Sequence, residues 1–208
     1  MTNHTPWERG ETEEMTKKNA RNTKGKIVAA AWKLFYEQGY EETTVEEIIE
    51  ESHTSRGSFY HYFDGKDALL SSLSYLFDEE YEILKKDIKK SDDPFEILMY
   101  LNRKLFTMIE NRVSLDLMSR LYSSQLVTKG ERHLLDHNRL YYKLLRSITA
   151  KGQEQSVFRN DWTVNEIVKL YALTERALIY DWCLCNGEYS LSDYAAKVFP
   201  DLMAQIRK

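Results

Sequence analysis

Apolar residues recur along this chain at the three- and four-residue spacing of helices that bury one face. Val45, Ile48 and Ile49 form such a stripe, backed by Glu46, Glu47, Glu50 and Glu51, so this segment packs on one side only. Thr44-Val45-Glu46-Glu47 has the form of a capping box and predicts where the helix starts. His53-Thr54 turns the chain. Ser55 is then a good N-cap for a second helix, Arg56 to Phe63, and Asp64 with Asp67 repeats the capping signal for a third. That third helix is expected to run from Asp64 to about Lys90, about 40 Å at the α-helical rise, and to tie the N-terminal part to the rest. Its inner side would carry Leu69, Leu73, Leu76, Phe77, Ile83, Leu84 and Ile88. Asp93-Pro94-Phe95-Glu96 is a cap with proline at the first helical position, opening a helix to about Asn111. Another spans Ser114 to Val127, ahead of Gly130. Glu131 to Gly152 follows, with Leu134, Asn138, Tyr141, Leu145 and Ile148 on one stripe. Thr163-Val164-Asn165-Glu166 is a second capping box and starts a helix to about Asn186, which Gly187 ends. Ser190 or Ser192 caps a last helix carrying Leu191, Ala195, Val198, Phe199, Leu202, Met203 and Ile206, in which Pro200 is expected to cause a kink.

Two short helices joined by a tight turn, with a third starting at once, is the layout of a DNA-reading head. Ser55-Arg56-Gly57-Ser58 would present a helix N-terminus and small side chains outward, suited to a base edge or a phosphate. The residues from about Thr23 to Leu70 resemble the N-terminal domain of tetracycline-repressor-type (TetR) transcriptional regulators. Lys26 to Tyr40, with the stop at Gly39, resembles the family's first helix; Thr43-Thr44-Val45 resembles the phosphate-contacting start of its second; Ser55 to Phe63 resembles its recognition helix. Lys66 stands where the family places a lysine against the DNA backbone. The residue after Phe63 is often basic in the family and is Asp64 here, which points to a capping role. The resemblance implies that Thr44, Tyr60, His61 and Lys66 touch phosphates, and that Arg56 and Ser58 read bases beside Ser55 and Gly57.

Composition changes this picture little. The chain has 208 residues and formal net charge −4, with a pI near 5.8, so its overall charge does not announce nucleic acid. The distribution is more telling: between Met15 and Tyr36 every charge is basic, namely Lys17, Lys18, Arg21, Lys24, Lys26 and Lys33. A basic arm ahead of a reading head fits phosphate contact, Lys24 included. The expected organisation is all-α: a flexible polar and basic arm at 1–21, a helix-turn-helix domain at 22–68, and a helical ligand-binding and dimerisation domain at 69–208. No apolar run approaches the ~18 residues of a membrane helix and no secretory signal is visible, so a cytoplasmic protein without a membrane partner is expected. Cys183 and Cys185 lie on different sides of a helix, which argues against a disulfide between them.

The body is rich in aromatic residues, and tyrosine and tryptophan bring a polar handle as well as apolar area. A cavity lined by Phe106, Met118, Leu121, Tyr122, Tyr141, Tyr171, Glu175 and Trp182 would take a lipophilic or aromatic small molecule. The last two helices are expected to pair across a twofold axis as a four-helix bundle, as the family resemblance implies and a palindromic operator requires. Gly152 to Asp161 resembles the loop ahead of this hairpin in many relatives, with Ser156 where glycine is more usual. His133 and His137, four apart, would suit a metal, but no third ligand is evident and the expectation is none. No nucleophile-base motif argues for an enzyme, and no cofactor is expected. The reading is therefore a homodimeric regulator, a repressor released from its operator by a ligand. Its rival is a helical coactivator-like interaction protein that kept the head without reading DNA, for which acidic helix 2 and Asp64 would speak.

Overall fold

The protein, a computed structural model described over residues 23–89, 93–128 and 132–208, is all-helical and divides into two compact units, Met1–Ser72 and Leu73–Lys208. The basic arm at 1–21 lies outside the described residues, as do Lys90, Gly130 and Glu131.

The head unit consists of α1 (23–37), α2 (Val45–Glu51), α3 (Arg56–Tyr62) and α4 (Lys66–Leu70). Ile27, Ala31 and Phe35 recur on one side of α1 and, with Ile48, Phe59 and Leu69, are essentially without exposure. Gly39 ends α1 with φ of 90°, a backbone conformation that costs a residue with a Cβ roughly 1–2 kcal/mol. Its carbonyl accepts from the buried Thr43 hydroxyl at 2.7 Å, which sets the turn into α2. Both halves of the expected capping box are present, with Thr44 Oγ1 accepting from Glu47 N and Glu47 Oε2 accepting from Thr44 N at 2.7 Å.

Two expectations in this unit are corrected. The cap of α4 is Gly65, with no side-chain hydrogen bond, and not Asp64; Asp67 instead accepts from the Tyr40 hydroxyl. Nor is there one helix from Asp64 to Lys90, because α4 stops at Leu70 and α5 (Leu73–Leu84) begins after a turn at Ser71–Ser72. Ser71 Oγ donates to Ala68 O and Ser72 Oγ to Leu69 O, while Ser72 N takes Leu69 O in a three-residue step. Serine hydroxyls competing for helix carbonyls in this way favour a break over continuation.

The body unit comprises α5, α6 (Pro94–Arg112), α7 (Leu115–Val127), α8 (Leu140–Glu154), α9 (Val164–Leu184) and α10 (Leu191–Met203). Helix α6 is central and packs against α5, α8 and α10. Its cap is as expected, with Asp93 Oδ1 accepting from Phe95 N at 2.8 Å and Glu96 N at 3.1 Å. The inner side of α5 differs from the expected stripe: Ile83 is exposed, and Tyr81 is buried between Phe77 and Leu84. The expected helix from Glu131 is also shorter. A 3-10 turn at His133–Leu135 precedes α8, which starts after Arg139. There Asp78 of α5 accepts Arg139 Nε at 3.0 Å, Arg139 Nη2 at 2.9 Å and Tyr141 N at 3.4 Å. One carboxylate thus pairs with the arginine and caps the helix, so α8 begins where α5 fixes it. His133 and His137 consequently share no helix face.

The second capping box, Thr163 with Glu166, opens α9 as expected. Ser156 adopts φ of 58°, which is why glycine suits that position. Its neighbour Gly152 lies under the Phe158 ring, where an added Cβ would come within 2.2 Å of Cδ2. Helix α10 continues through Pro200. The Ala196 carbonyl that Pro200 leaves without a donor belongs to an exposed residue, so water can serve it. Phe199 is buried edge-on against Tyr171, 5.0 Å between ring centres.

Candidate functional site

In the head, the chain's own caps prepare the outward face. Ser55 Oγ accepts from Ser58 N at 3.0 Å and lies 2.9 Å from Ser58 Oγ, fixing the first turn of α3. Phe59 is buried and holds the helix down, while Ser55, Arg56, Gly57, Tyr60 and His61 are exposed and Ser58 is half-buried. Arg56 lies 5.8 Å from the Tyr60 ring centre and 3.3 Å from Glu46. An ion pair between two such exposed side chains is weak and readily exchanged for another acceptor. Gly57 has open space about its Cα, with only Ser55 Oγ within 3.9 Å of an added Cβ, so the head itself does not demand glycine there.

Thr44 is exposed at the start of α2. Three of the four acids behind it are engaged within the head: Glu47 in the capping box and with Gln38 at 3.2 Å, Glu51 with Lys33 at 2.7 Å, and Glu46 with Arg56. The backbone and hydroxyl of Thr44 hold the Glu47 carboxyl below its ordinary pKa. Lys24 lies 5.7 Å from the Phe63 ring centre. Lys66 is more occupied than expected, donating from Nζ to Tyr40 O at 2.6 Å and Glu41 O at 3.1 Å across the face of the Tyr40 ring. An ammonium has three donors, so the third is what Lys66 can offer outward.

The body holds a cavity of about 40 Å³ among α5, α6, α7, α8 and α9. Of the eight expected lining residues, Tyr122, Tyr141 and Glu175 border it; Phe106, Met118, Leu121, Tyr171 and Trp182 are packed in the surrounding core. Tyr81, Arg139 and Arg176 also border it and were not anticipated. Arg139 is placed by Asp78, sixty-one residues earlier, a pairing no local spacing reveals. Tyr81 has a local signal, since it follows Phe77 by one helical turn on α5.

Glu175 dominates the chemistry of this cavity. Its buried carboxyl accepts from Asn102 Nδ2 at 3.0 Å and from Tyr141 Oη at 2.7 Å. Burial raises its pKa, against the opposing donations of Asn102 and Tyr141. Tyr81 and Tyr141 are held well above the ordinary phenol range, first by burial and then by Glu175. Tyr81 Oη is buried with no hydrogen-bond partner among the described residues, the condition of a group that awaits a water or a ligand. At about 40 Å³, the space holds only a few waters, far less than the ~300–1,000 Å³ of a drug-sized pocket.

The raised pKa carries a testable sign. A folded value above the unfolded one means that the contribution of Glu175 is fully present below the ordinary glutamate range and is lost as pH rises through the folded value. In thermal melts from about pH 4 upward, Glu175→Gln should therefore gain on wild type as pH increases. A stability difference constant with pH would mean that Glu175 does not titrate differently in the fold.

Comparison with known proteins follows the same division. A family model described as "Bacterial regulatory proteins, tetR family" matches residues 27–73. An uncharacterized HTH-type transcriptional regulator of Bacillus subtilis, YuxN, is 42% identical over 69 residues, covering 33% of this chain and 24% of its own length. The HTH-type transcriptional regulator TtgR of Pseudomonas putida is 30% identical over 118 residues, covering 56% of this chain and 54% of its own. The chain thus spans only between a quarter and about half of these curated relatives. Over nearly the full length, Thermus thermophilus FadR, a TetR family transcriptional repressor solved in complex with lauroyl-CoA, superposes with a TM-score of 0.69 at 25% identity, covering 88% of this chain and 95% of that one.

Proposed function

Since this chain belongs to the tetR family of bacterial regulatory proteins, we propose that it is a homodimeric, sequence-specific transcriptional repressor released from a palindromic operator by a small molecule. The observation that carries the reading is the head: a capped α3 whose anchoring residue Phe59 is buried while Arg56, Gly57, Tyr60 and His61 face solvent. The proposed base readers are Arg56 and Ser58, with Thr44, Tyr60, His61, Lys66 and Lys24 on phosphates. The rival reading, a head that does not touch DNA, drew on the acids of α2. Glu47 and Glu51 are partnered within the head by groups other than the proposed base readers, which weakens that objection.

Dimerisation is proposed through α9 and α10. Leu173, Tyr180 and Leu184 form an exposed stripe on α9, and Tyr194 and Leu202 do so on α10. Stripes of this kind on adjacent helices suit a twofold four-helix bundle. Phe199 takes no part, because it is 1% exposed and belongs to the core of the protomer.

Release would follow from population shift. The small cavity beside Glu175 and a Tyr81 hydroxyl without a hydrogen-bond partner among the described residues support a body that must open to admit an effector. An effector that enters only an opened form, with its apolar part along Phe77, Leu105 and Ile179 and a polar group at Tyr81, favours that form by its differential affinity. If the opened form misplaces the heads, the effector releases DNA.

The salt dependence of binding to mixed-sequence duplex DNA tests the head assignment. Affinity should fall steeply with salt, and Lys66→Ala should lower the slope by about 0.9 for each phosphate that is no longer neutralised. An unchanged slope would confine Lys66 to holding the Tyr40–Glu41 turn.

A further inference from the structure

We infer that the groove between α8 and α9 is a binding site for a small phosphorylated molecule, separate from the buried cavity. The groove has a volume of about 730 Å³. Its floor is apolar and buried, formed by Tyr142, Val168 and Ala172. Its walls carry Arg146, Lys169 and Arg176, and no Asp or Glu lines it.

Concavity and one-signed charge together separate this groove from an ordinary solvated surface, on which charges of both signs are interspersed. Among the described residues, none of the three cations takes part in an ion pair. The acids near them in sequence are engaged elsewhere: Asp136 Oδ1 accepts from Asn138 N at 2.8 Å, Glu166 Oε2 from Thr163 N at 2.7 Å, and the buried Glu175 beside Arg176 accepts from Asn102 Nδ2 at 3.0 Å and Tyr141 Oη at 2.7 Å. Both guanidiniums are held in place by single hydrogen bonds. Arg146 Nη2 donates to His137 O at 2.8 Å, and Arg176 Nη1 donates to the Tyr142 hydroxyl at 3.2 Å. Each arginine has five N–H donors in a fixed fork, so most of them stay available to an incoming ligand. Two oriented forks and an ammonium are the donor set that matches phosphate oxygens.

The groove also offers a ring. His137 packs at 4.6 Å against the buried Tyr142 and is itself exposed, so a planar group of the ligand can lie on its free face. The class that fits is therefore a phosphorylated molecule with a planar ring, and a nucleoside diphosphate, with two phosphates for three cations, is the representative used to test it. The inference does not depend on operator binding by the head or on an effector in the buried cavity. Arg176 borders both spaces and is left intact in the test for that reason.

The test is calorimetric titration of the full chain with ADP, with adenosine as the uncharged counterpart. Wild type should bind one ADP per protomer, more weakly as salt rises, and should bind adenosine at least roughly tenfold more weakly. Lys169→Glu and Arg146→Glu should each reduce ADP affinity by roughly tenfold or more with unchanged thermal melts. Lys197→Glu, at an exposed lysine of α10 outside the groove, should leave it within about twofold, as expected for a charge change away from the bound phosphates. Absence of saturable ADP binding, ADP binding unaffected by Lys169→Glu, or equal weakening by Lys197→Glu would each overturn the assignment.

Discussion

Glutamate in place of Leu184 is expected to turn a dimer into a folded monomer and to abolish tight binding to two-half-site DNA. Leu184 is 66% exposed in the protomer and shares its stripe with Leu173 and Tyr180, so the substitution removes little packing within one chain. In the proposed bundle the same position is desolvated, and an unpaired charge there costs several kcal/mol. Sedimentation should move from twice 24.6 kDa to 24.6 kDa. Without the second head, bivalent binding becomes monovalent, a drop of about 10²- to 10⁴-fold in operator affinity. Phe199→Glu provides the contrast, since Phe199 is 1% exposed against Tyr171; that variant should lose its cooperative melt rather than dissociate. A Leu184→Glu protein that remains dimeric would place the interface elsewhere.

The second large effect is at the reading face. Arg56→Ala should cost about 1 to 3 kcal/mol at each half-site if the contact to a base is bidentate, counted twice for a dimer on a palindrome. The loss should be concentrated at one base position of the half-site. Gly57→Ala is the informative companion, because the head has room for the added Cβ, with nothing closer than Ser55 Oγ at 3.9 Å. It should melt like wild type, or slightly higher for the helix propensity gained, and yet bind the operator more weakly, because the obstacle lies outside the protein. Equal operator affinity for Arg56→Ala and wild type, compared by fluorescence anisotropy, would remove Arg56 from base readout.

What could be read in advance from the residues was what is decided within a few positions. The caps of α2, α3, α6, α9 and α10 depend on Thr44 with Glu47, Ser55, Asp93, Thr163 with Glu166, and Ser190, and each is realised where its short motif stands. The exposed members of α3 follow equally directly from Phe59 and Phe63 fixing its inner side. The failures are non-local or are settled by competition for a carbonyl. The break at Ser71–Ser72 follows from hydroxyls that bond back to Ala68 and Leu69, whereas the apolar periodicity on either side continues unbroken. The late start of α8 depends on Asp78, which meets Arg139 and Tyr141 N across more than sixty residues.

The body cavity divides in the same way. Glu175 interrupts the buried apolar side of α9 between Tyr171, Ala172 and Ile179, and Tyr141 lies on the stripe of α8. Phe106, Met118 and Leu121 have the same chemistry as true wall residues but are fully packed. Residue type alone does not distinguish a core from a cavity; neighbouring helices decide it.

The central claim is that two copies of this head, held by one body dimer, read a twofold-symmetric sequence. Selection of bound duplexes from a random DNA library by the full chain tests it most directly. The predicted result is one enriched palindrome whose half-site centres lie about 34 to 36 Å apart or a multiple of that, with enrichment abolished in both Arg56→Ala and Leu184→Glu proteins. Recovery of no preferred sequence, or of a single asymmetric half-site that Leu184→Glu binds as tightly as wild type, would contradict it.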